Sequence, residues 1–322
     1  MKFFSALTAQ LVSQLLGLLV GLTTLVATSS ASDVDDAWKD FLVNPPSQAV
    51  EAANELQQRA DGIANNLSNA KLAFDLTEID VVCSGGGNFD AFYMGASMVL
   101  SRLSAAQANV QRYAGVSAGG MMPFEIALKG ETTTLESHLS YGVLSAEYAA
   151  SYKSALEAMY LEDHHWRIMA SWQTETYADQ LADSLNNKVF VGTSCLTPLP
   201  KLIIISEYTA SDDQATHAFM STGTYVEIYS GMICSDGGAT SGQNMTPLFQ
   251  DGRRPQLIVD LMATGFPSDM VYRVDFEQYK SLIEVGMDEM EQFLREGKTS
   301  DERPDIITLC DVGSDVSSNV CK

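Results

Sequence analysis

An α/β fold with a mainly parallel sheet follows from three observations. A strand pattern from Ile79 runs through Val81, Val82 and Cys83 into Gly85-Gly86-Gly87, and a helical segment from Ala91 to Leu103 follows. A second strand pattern, Val110 to Gly115, enters Gly115-Val116-Ser117-Ala118-Gly119 and leaves it as an apolar helix, Met121 to Leu128. Strand, glycine turn and helix therefore occur twice within about fifty residues, the order that βα units with parallel strands produce.

The remaining elements fall around this centre. The chain opens with Lys2, an apolar stretch strongest from Leu15 to Val26, and small residues at Ser29, Ser30 and Ala31. That is the order of a secretory signal peptide over 1–31, cleaved after Ala31 so that the mature chain begins at Ser32; retention as a signal anchor is the alternative. The apolar stretch is shorter than the ~20 residues a bilayer span needs, and Gln10, Ser13 and Gln14 interrupt its extension, so no transmembrane span is expected in the mature protein. Residues 32–76 form an N-terminal helical arm. Val50, Ala53, Leu56, Ala60, Ile63 and Leu67 recur at helical spacing after Pro45-Pro46, with Ser47 as the expected N-cap. Residues 77–300 form the main domain, in which about 131–187 has helical spacing and reads as a cap over one edge. Lys201 to Tyr208 and Gln256 to Met262 read as buried strands, and Phe276 to Glu296 as a final amphipathic helix. Residues 301–322 are left as a C-terminal tail.

Composition narrows the function. A net charge of −22 with only 19 Lys and Arg excludes a nucleic-acid partner, which requires clustered cations, and disfavours strongly anionic membranes. Five cysteines include no CxxC or Cys/His cluster, so no metal site is expected. Cys310 and Cys321 are spaced to close a small loop. Cys195 with Cys234 ranks behind that pairing, and Cys83, in an apolar strand, reads as a buried thiol. Sequons stand at Asn66-Leu67-Ser68 and Asn244-Met245-Thr246. The second is followed by Pro247 and is expected to stay unmodified.

Three short segments carry chemistry. The GxSxG run around Ser117 is the pattern of a nucleophile elbow, in which a tight strand-to-helix turn presents a serine hydroxyl. Ser84-Gly85-Gly86-Gly87-Asn88 leaves backbone N–H groups unobstructed at a helix start, as an oxyanion hole requires. A phosphate-cradling loop would need a Lys-Ser/Thr pair that is missing, and Asp90 breaks GxGxxG. Ser235-Asp236-Gly237-Gly238 sets a carboxylate before two glycines, with Asn244 and Pro247 downstream.

A GGG loop, then GxSxG, then DGG with a following NxxP resembles the patatin-like phospholipases, over about Val81 to Leu294. The resemblance implies a three-layer α/β/α patatin-like fold with a helical cap, and a lipid acyl hydrolase acting on acyl-lipid substrate at a lipid interface. It also implies Ser117 as nucleophile, Asp236 as its sole basic partner, and Gly85, Gly86 and Gly87 as the oxyanion hole, with no cofactor. The chain departs from the family at Asn88-Phe89-Asp90, where a basic residue and then glycine are usual.

Two alternatives stand beside this. An α/β-hydrolase-type esterase with a Ser-His-Asp triad needs a histidine after the acid, but His138, His164, His165 and His217 all precede Asp236. Such a triad would have to use His217 with an earlier acid such as Asp179 or Asp183. All four histidines read instead as surface or cap residues. The other alternative is a non-catalytic lipid-binding or storage protein on the same scaffold.

Overall fold

The computed structural model describes residues 40, 43–74, 76–149, 169–196, 199–208, 227–229, 231–237, 257–261, 274–297 and 306–311. The strands are β1 Leu76–Cys83, β2 Ala108–Val116, β3 Val189–Leu196, β4 Pro200–Ile205, β5 Glu227–Tyr229, β6 Met232–Asp236, β7 Leu257–Leu261 and β8 Ile306–Asp311. The helices used below are α1 Ser47–Ser68, α2 Asp90–Arg102, α3 Ala118–Lys129, α4 Glu131–Ala149, α5 Leu181–Leu185 and α6 Phe276–Glu296.

The chain is α/β, with one open sheet in the order β5-β6-β3-β2-β1-β7-β8 and β4 paired to β3. β3, β2, β1 and β7 are mutually parallel, and the strands outside them pair antiparallel. β1 and β2 are where the alternation of apolar runs and glycine turns placed them. Both are buried along most of their length, which is what a central parallel strand with helices on its faces requires. One buried ion pair crosses them: the Arg112 Nε–H donates to Asp80 Oδ2 at 2.8 Å, from directly paired register positions, and the guanidinium also lies 5.8 Å from the Phe190 ring centroid.

One apolar core joins α1, α2, α4 and α6 to one side of β1 and β7, and a second gathers α3, α5 and β3. In α1 the buried face is Ala53, Leu56, Ala60, Ile63 and Leu67, extended by Ala49, Ala52 and Ala64; Val50, expected on the same face, is only half-buried in the first turn. The N-cap position belongs to Pro46 and not to Ser47, with no side-chain hydrogen bond. Proline immediately before the first turn fixes φ and makes the helix start without a capping hydroxyl. α6 has the expected bounds, and a reciprocal capping box between Asp275 and Gln278 fixes its start.

Three expectations need correction. The beginning of the expected cap, α4, carries Leu135 and Leu139 into the main core beside α1 and α6, because its apolar face is wide enough to pack there; 150–168 lies outside the described residues. Within Lys201 to Tyr208 only Ile205 and Tyr208 are buried, since β4 has β3 on one edge and lies off the main strand order. The expected tail supplies β8, whose Ile-Ile-Thr-Leu-Cys run pairs antiparallel with β7 and covers that sheet edge. Among the described residues no helix is long and apolar enough to cross a membrane; the expected signal peptide lies outside them.

Helix α2, which follows the glycine loop, is locked on α6 by two glycines. A Cβ on Gly95 would lie 1.9 Å from the Ile283 carbonyl oxygen, and one on Gly286 would lie 2.1 Å from that of Phe92. Both clashes are with backbone, which cannot swing aside as a side chain does. Gly95→Ala should therefore lower stability by at least about 1–3 kcal/mol, the scale of overpacking, read as a lower urea midpoint at unchanged slope. An unchanged midpoint would show that the two helices do not cross this closely.

Candidate active site

β2 ends at Val116, and the chain turns at Ser117 with φ 56° and ψ −141° before α3 begins at Ala118. A non-glycine residue at positive φ costs energy, so the surroundings must over-determine it, and such strain gathers where a side chain has to be presented. The surroundings here are tight. A Cβ on Gly115 would lie 2.2 Å from the Gly119 carbonyl oxygen, and one on Gly119 would lie 2.1 Å from that of Cys83. The two glycines flanking Ser117 are thus fixed by sterics, α3 starting directly against the end of β1. Ser117 itself is half-buried, set among buried neighbours on both sides.

The glycine loop sits over this turn. Its entry is held by the Ser84 N–H donating to the Leu261 carbonyl at 3.0 Å. A Cβ on Gly85 would lie 2.9 Å from Ser117 Cβ and 3.6 Å from Ser117 Oγ, so the Gly85 backbone touches the serine side chain. Gly87 has φ 57°, a conformation glycine adopts without strain, and it starts a 3-10 turn, Gly87–Phe89, that leads into α2. The structure thus brings Gly85 to Ser117 and places Gly86 and Gly87 next along the same loop.

Asp236 reaches the same place from the other direction. β4 holds one edge of β3 from Val191 to Leu196. The other edge is held by β2 as far as Gly192, opposite Val116, and by β6 from Thr193, opposite Asp236. β2 runs parallel to β3 and β6 antiparallel, so their C-terminal ends meet on that edge. Had β2 continued, residue 117 would have faced Thr193; the chain turns away at Ser117 and Asp236 takes the position. Gly237 makes the meeting possible, because a Cβ there would lie 2.1 Å from the Gly192 carbonyl oxygen and 2.9 Å from Val116 Cγ1.

Residues that the sequence reading passed over hold Asp236 in place. The Thr193 hydroxyl donates to the Ser235 carbonyl at 2.8 Å and the Ser194 hydroxyl to the Gly237 carbonyl at 3.2 Å, one on each side of Asp236. Cys195 and Cys234, directly paired across β3 and β6, form a disulfide two residues before it. The pairing ranked second is therefore formed; the Cys310–Cys321 pairing involves Cys321, which lies outside the described residues, while Cys310 lies on β8 and Cys83 is buried and outside the Cys195–Cys234 disulfide. The signal for β3 was in the sequence: Val189-Phe190-Val191 is a run of strand formers directly before Gly192.

Of the four histidines only His138 lies among the described residues, and it is not a surface or cap residue. It is 3% exposed on α4, inside a cluster of charge. Its Nε2 pairs with Glu125 Oε2 on α3, and Glu125 Oε1 accepts from Lys129 Nζ at 2.8 Å. Its Nδ1 lies 3.0 Å from Asp90 Oδ2 and 2.9 Å from the Tyr279 hydroxyl, which itself donates to Asp90 Oδ1 at 3.0 Å. Both ring nitrogens are thus engaged away from Ser117. Asp179 and Asp183, the acids weighed for a triad, are exposed. His164, His165, His217, Gly238, Asn244 and Pro247 lie outside the described residues, and Asn66 is exposed in the last turn of α1.

No protein-family model matches the chain, and no curated protein matches it.

The cluster makes stability depend on pH. Burial works against a charged His138, but the Glu125 carboxylate and the hydrogen bonds to Asp90 and Glu125 outweigh it and raise the imidazole to about 9. Burial likewise works against charged Glu125, yet Lys129 and His138 hold it down to about 2. His138 therefore contributes stability that is complete below its unfolded value of 6.5 and is lost as pH rises to about 9. Glu125 contributes stability that is complete above 4.5 and is lost as pH falls to about 2. Urea midpoints measured against pH should show a plateau between 4.5 and 6.5 and a decline on both sides that His138→Gln removes on the alkaline side. An alkaline decline that survives in His138→Gln would contradict this assignment.

Proposed function

We propose that the chain is a lipid acyl hydrolase of the patatin-like phospholipase type, with a three-layer α/β/α fold, cleaving fatty-acyl esters through a Ser117–Asp236 dyad. The observation that supports the reading is the meeting of β2 and β6 on one edge of β3, with Val116, just before the strained elbow serine, opposite Gly192 and Asp236 opposite the next residue, Thr193. A glycine loop in contact with the serine side chain completes the set of groups that acyl transfer needs.

In this reading Asp236 takes the proton from Ser117 Oγ as the oxygen attacks the ester carbonyl. The carbonyl electron pair moves onto its oxygen, where N–H groups of Gly85, Gly86 and Gly87 receive it. Collapse of the tetrahedral adduct breaks the ester bond, and the departing alcohol takes the proton back from Asp236. Water, deprotonated by Asp236 in turn, attacks the acyl-enzyme; the Ser117 Oγ–acyl bond breaks, Ser117 Oγ takes the proton back from Asp236, and the fatty acid is released. No metal or cofactor has a role in these steps, because backbone dipoles supply the charge stabilisation. The engagement of His138 with Glu125 and Asp90 favours a dyad over a triad built on that histidine.

The Cys195–Cys234 disulfide supports an exported protein, since such bonds persist in oxidising compartments. The lipid substrate rests on the motif resemblance.

A fluorophosphonate probe distinguishes an enzyme from a lipid-binding protein on the same scaffold. Peptide mapping should find the label on Ser117, and Ser117→Ala should abolish both labelling and hydrolysis of a p-nitrophenyl ester while leaving the urea midpoint in place. Labelling elsewhere, or hydrolysis retained by Ser117→Ala, would overturn the proposal.

A further inference from the structure

The buried cluster around His138 lies outside the dyad, yet its location bears on it. We propose that Asp90, held by His138 and Tyr279, is a positioning residue for the oxyanion loop, fixing residues 85–89 against α3, the helix that follows Ser117. This rests on the serine hydrolase reading and adds a role that the dyad and the glycine loop do not contain.

The loop has two ends. Its entry, at Ser84, is tied to the sheet through Leu261. Its exit is the 3-10 turn Gly87–Phe89, and Asp90 is the first residue of α2 beyond it. Both Asp90 carboxylate oxygens are used, Oδ1 by the Tyr279 hydroxyl of α6 and Oδ2 by His138 Nδ1 of α4. Through the other ring nitrogen the path continues to Glu125 on α3 and on to Lys129, one turn further along the same helix. A continuous line of charge-assisted hydrogen bonds therefore joins the exit of the loop to the nucleophile helix without passing through the sheet.

Energetics separate this from simple fastening. α2 is already held by its buried side chains and by the Gly95 and Gly286 crossing with α6. Buried ion pairs lose most of their attraction to desolvation, and apolar replacements of similar volume are often as stable, so fastening alone would not call for five polar groups here. What such a network adds is direction, since each bond holds only over a narrow range of distance and angle. Direction is what an oxyanion hole needs, because a displacement of about 1 Å costs on the order of 100-fold in rate.

The groups facing His138 are Glu125 of α3, Asp90 of α2 and Tyr279 of α6; Lys129 pairs with Glu125 behind it, and Tyr141 acts on Tyr279. Loss of the His138 proton leaves Asp90 without its charged partner. The anchored loop should therefore loosen on the alkaline side, near pH 9.

The test measures kcat and KM on a p-nitrophenyl ester across pH, with active sites counted by fluorophosphonate labelling of Ser117. Asp90→Asn should lower kcat per labelled site on the order of 10-fold to 100-fold, with KM within about twofold of wild type. Tyr279→Phe, which removes a single hydroxyl, should give a smaller fall in the same direction. Wild type should lose kcat as pH rises through about 9, and His138→Gln should be slower but flat across that range. If the variants reduce the number of labelled sites and leave kcat per site at the wild-type value, the network is structural only and the proposal falls. Should Asp90→Asn fail to fold, an unchanged kcat per labelled site in Tyr279→Phe overturns it equally. Unlabelled Ser117 in the wild type would instead sink the hydrolase reading, and this proposal with it.

Discussion

Everything at the candidate site depends on one constraint: a single edge of β3 is shared by two strands that arrive from opposite directions. β2 fills the edge up to Gly192 and β6 fills it from Thr193, so each must stop where the other begins. The stop in β2 is the turn at Ser117, and the stop in β6 is Asp236 followed by Gly237. Glycine at 192 and 237 follows from the same constraint, since side chains at either would strike Val116, and one at 237 would strike the Gly192 carbonyl as well. The elbow and Asp236 thus end on the same edge of β3 because of strand pairing, at adjacent register positions.

That arrangement demands stiffness from a short strand. β6 has three paired positions against β3, which is little to hold a charged side chain in register. The hydroxyls of Thr193 and Ser194 and the Cys195–Cys234 disulfide supply the rest. Closing a chain segment of sequence separation 39 is worth about 4 kcal/mol in the chain-entropy account, enough to dominate the ladder it reinforces. On the other side of β2 the glycine loop is placed by tight backbone contact and by the polar anchor at Asp90. Site rigidity is therefore drawn from both flanks of the elbow.

The parts of this that were legible in the sequence are the local ones. β1, β2, α2, α3 and α6 each announce themselves through a period or a glycine turn, and α6 was bounded correctly at both ends because a capping box and the helix-ending Gly297 mark them. The segments Gly85 to Gly87, Ser117 and Asp236 were likewise readable as motifs. What stayed hidden depends on pairing between distant residues. β6 is short and pairs three positions with β3, β8 pairs with the edge that β7 offers, and the disulfide partners face each other through the β3–β6 register. His138 was misread because nothing in its neighbours reveals that Asp90, Glu125 and Tyr279 would surround it; sequence separations to Asp90 and Tyr279 are set by the helix packing alone. Ser47 failed as an N-cap because Pro46 already occupies the boundary.

The central claim is that Ser117 and Asp236 act as one unit, and a double-mutant cycle addresses it most directly. Ser117→Ala, Asp236→Asn and the double variant would be compared by kcat/KM on one acyl ester, with urea midpoints to confirm folding. If the two residues form a dyad, each single variant falls by a factor on the order of 10² or more and the double variant falls no further than Ser117→Ala. Independent, multiplying losses in the double variant, or an Asp236→Asn enzyme close to wild type, would contradict the account.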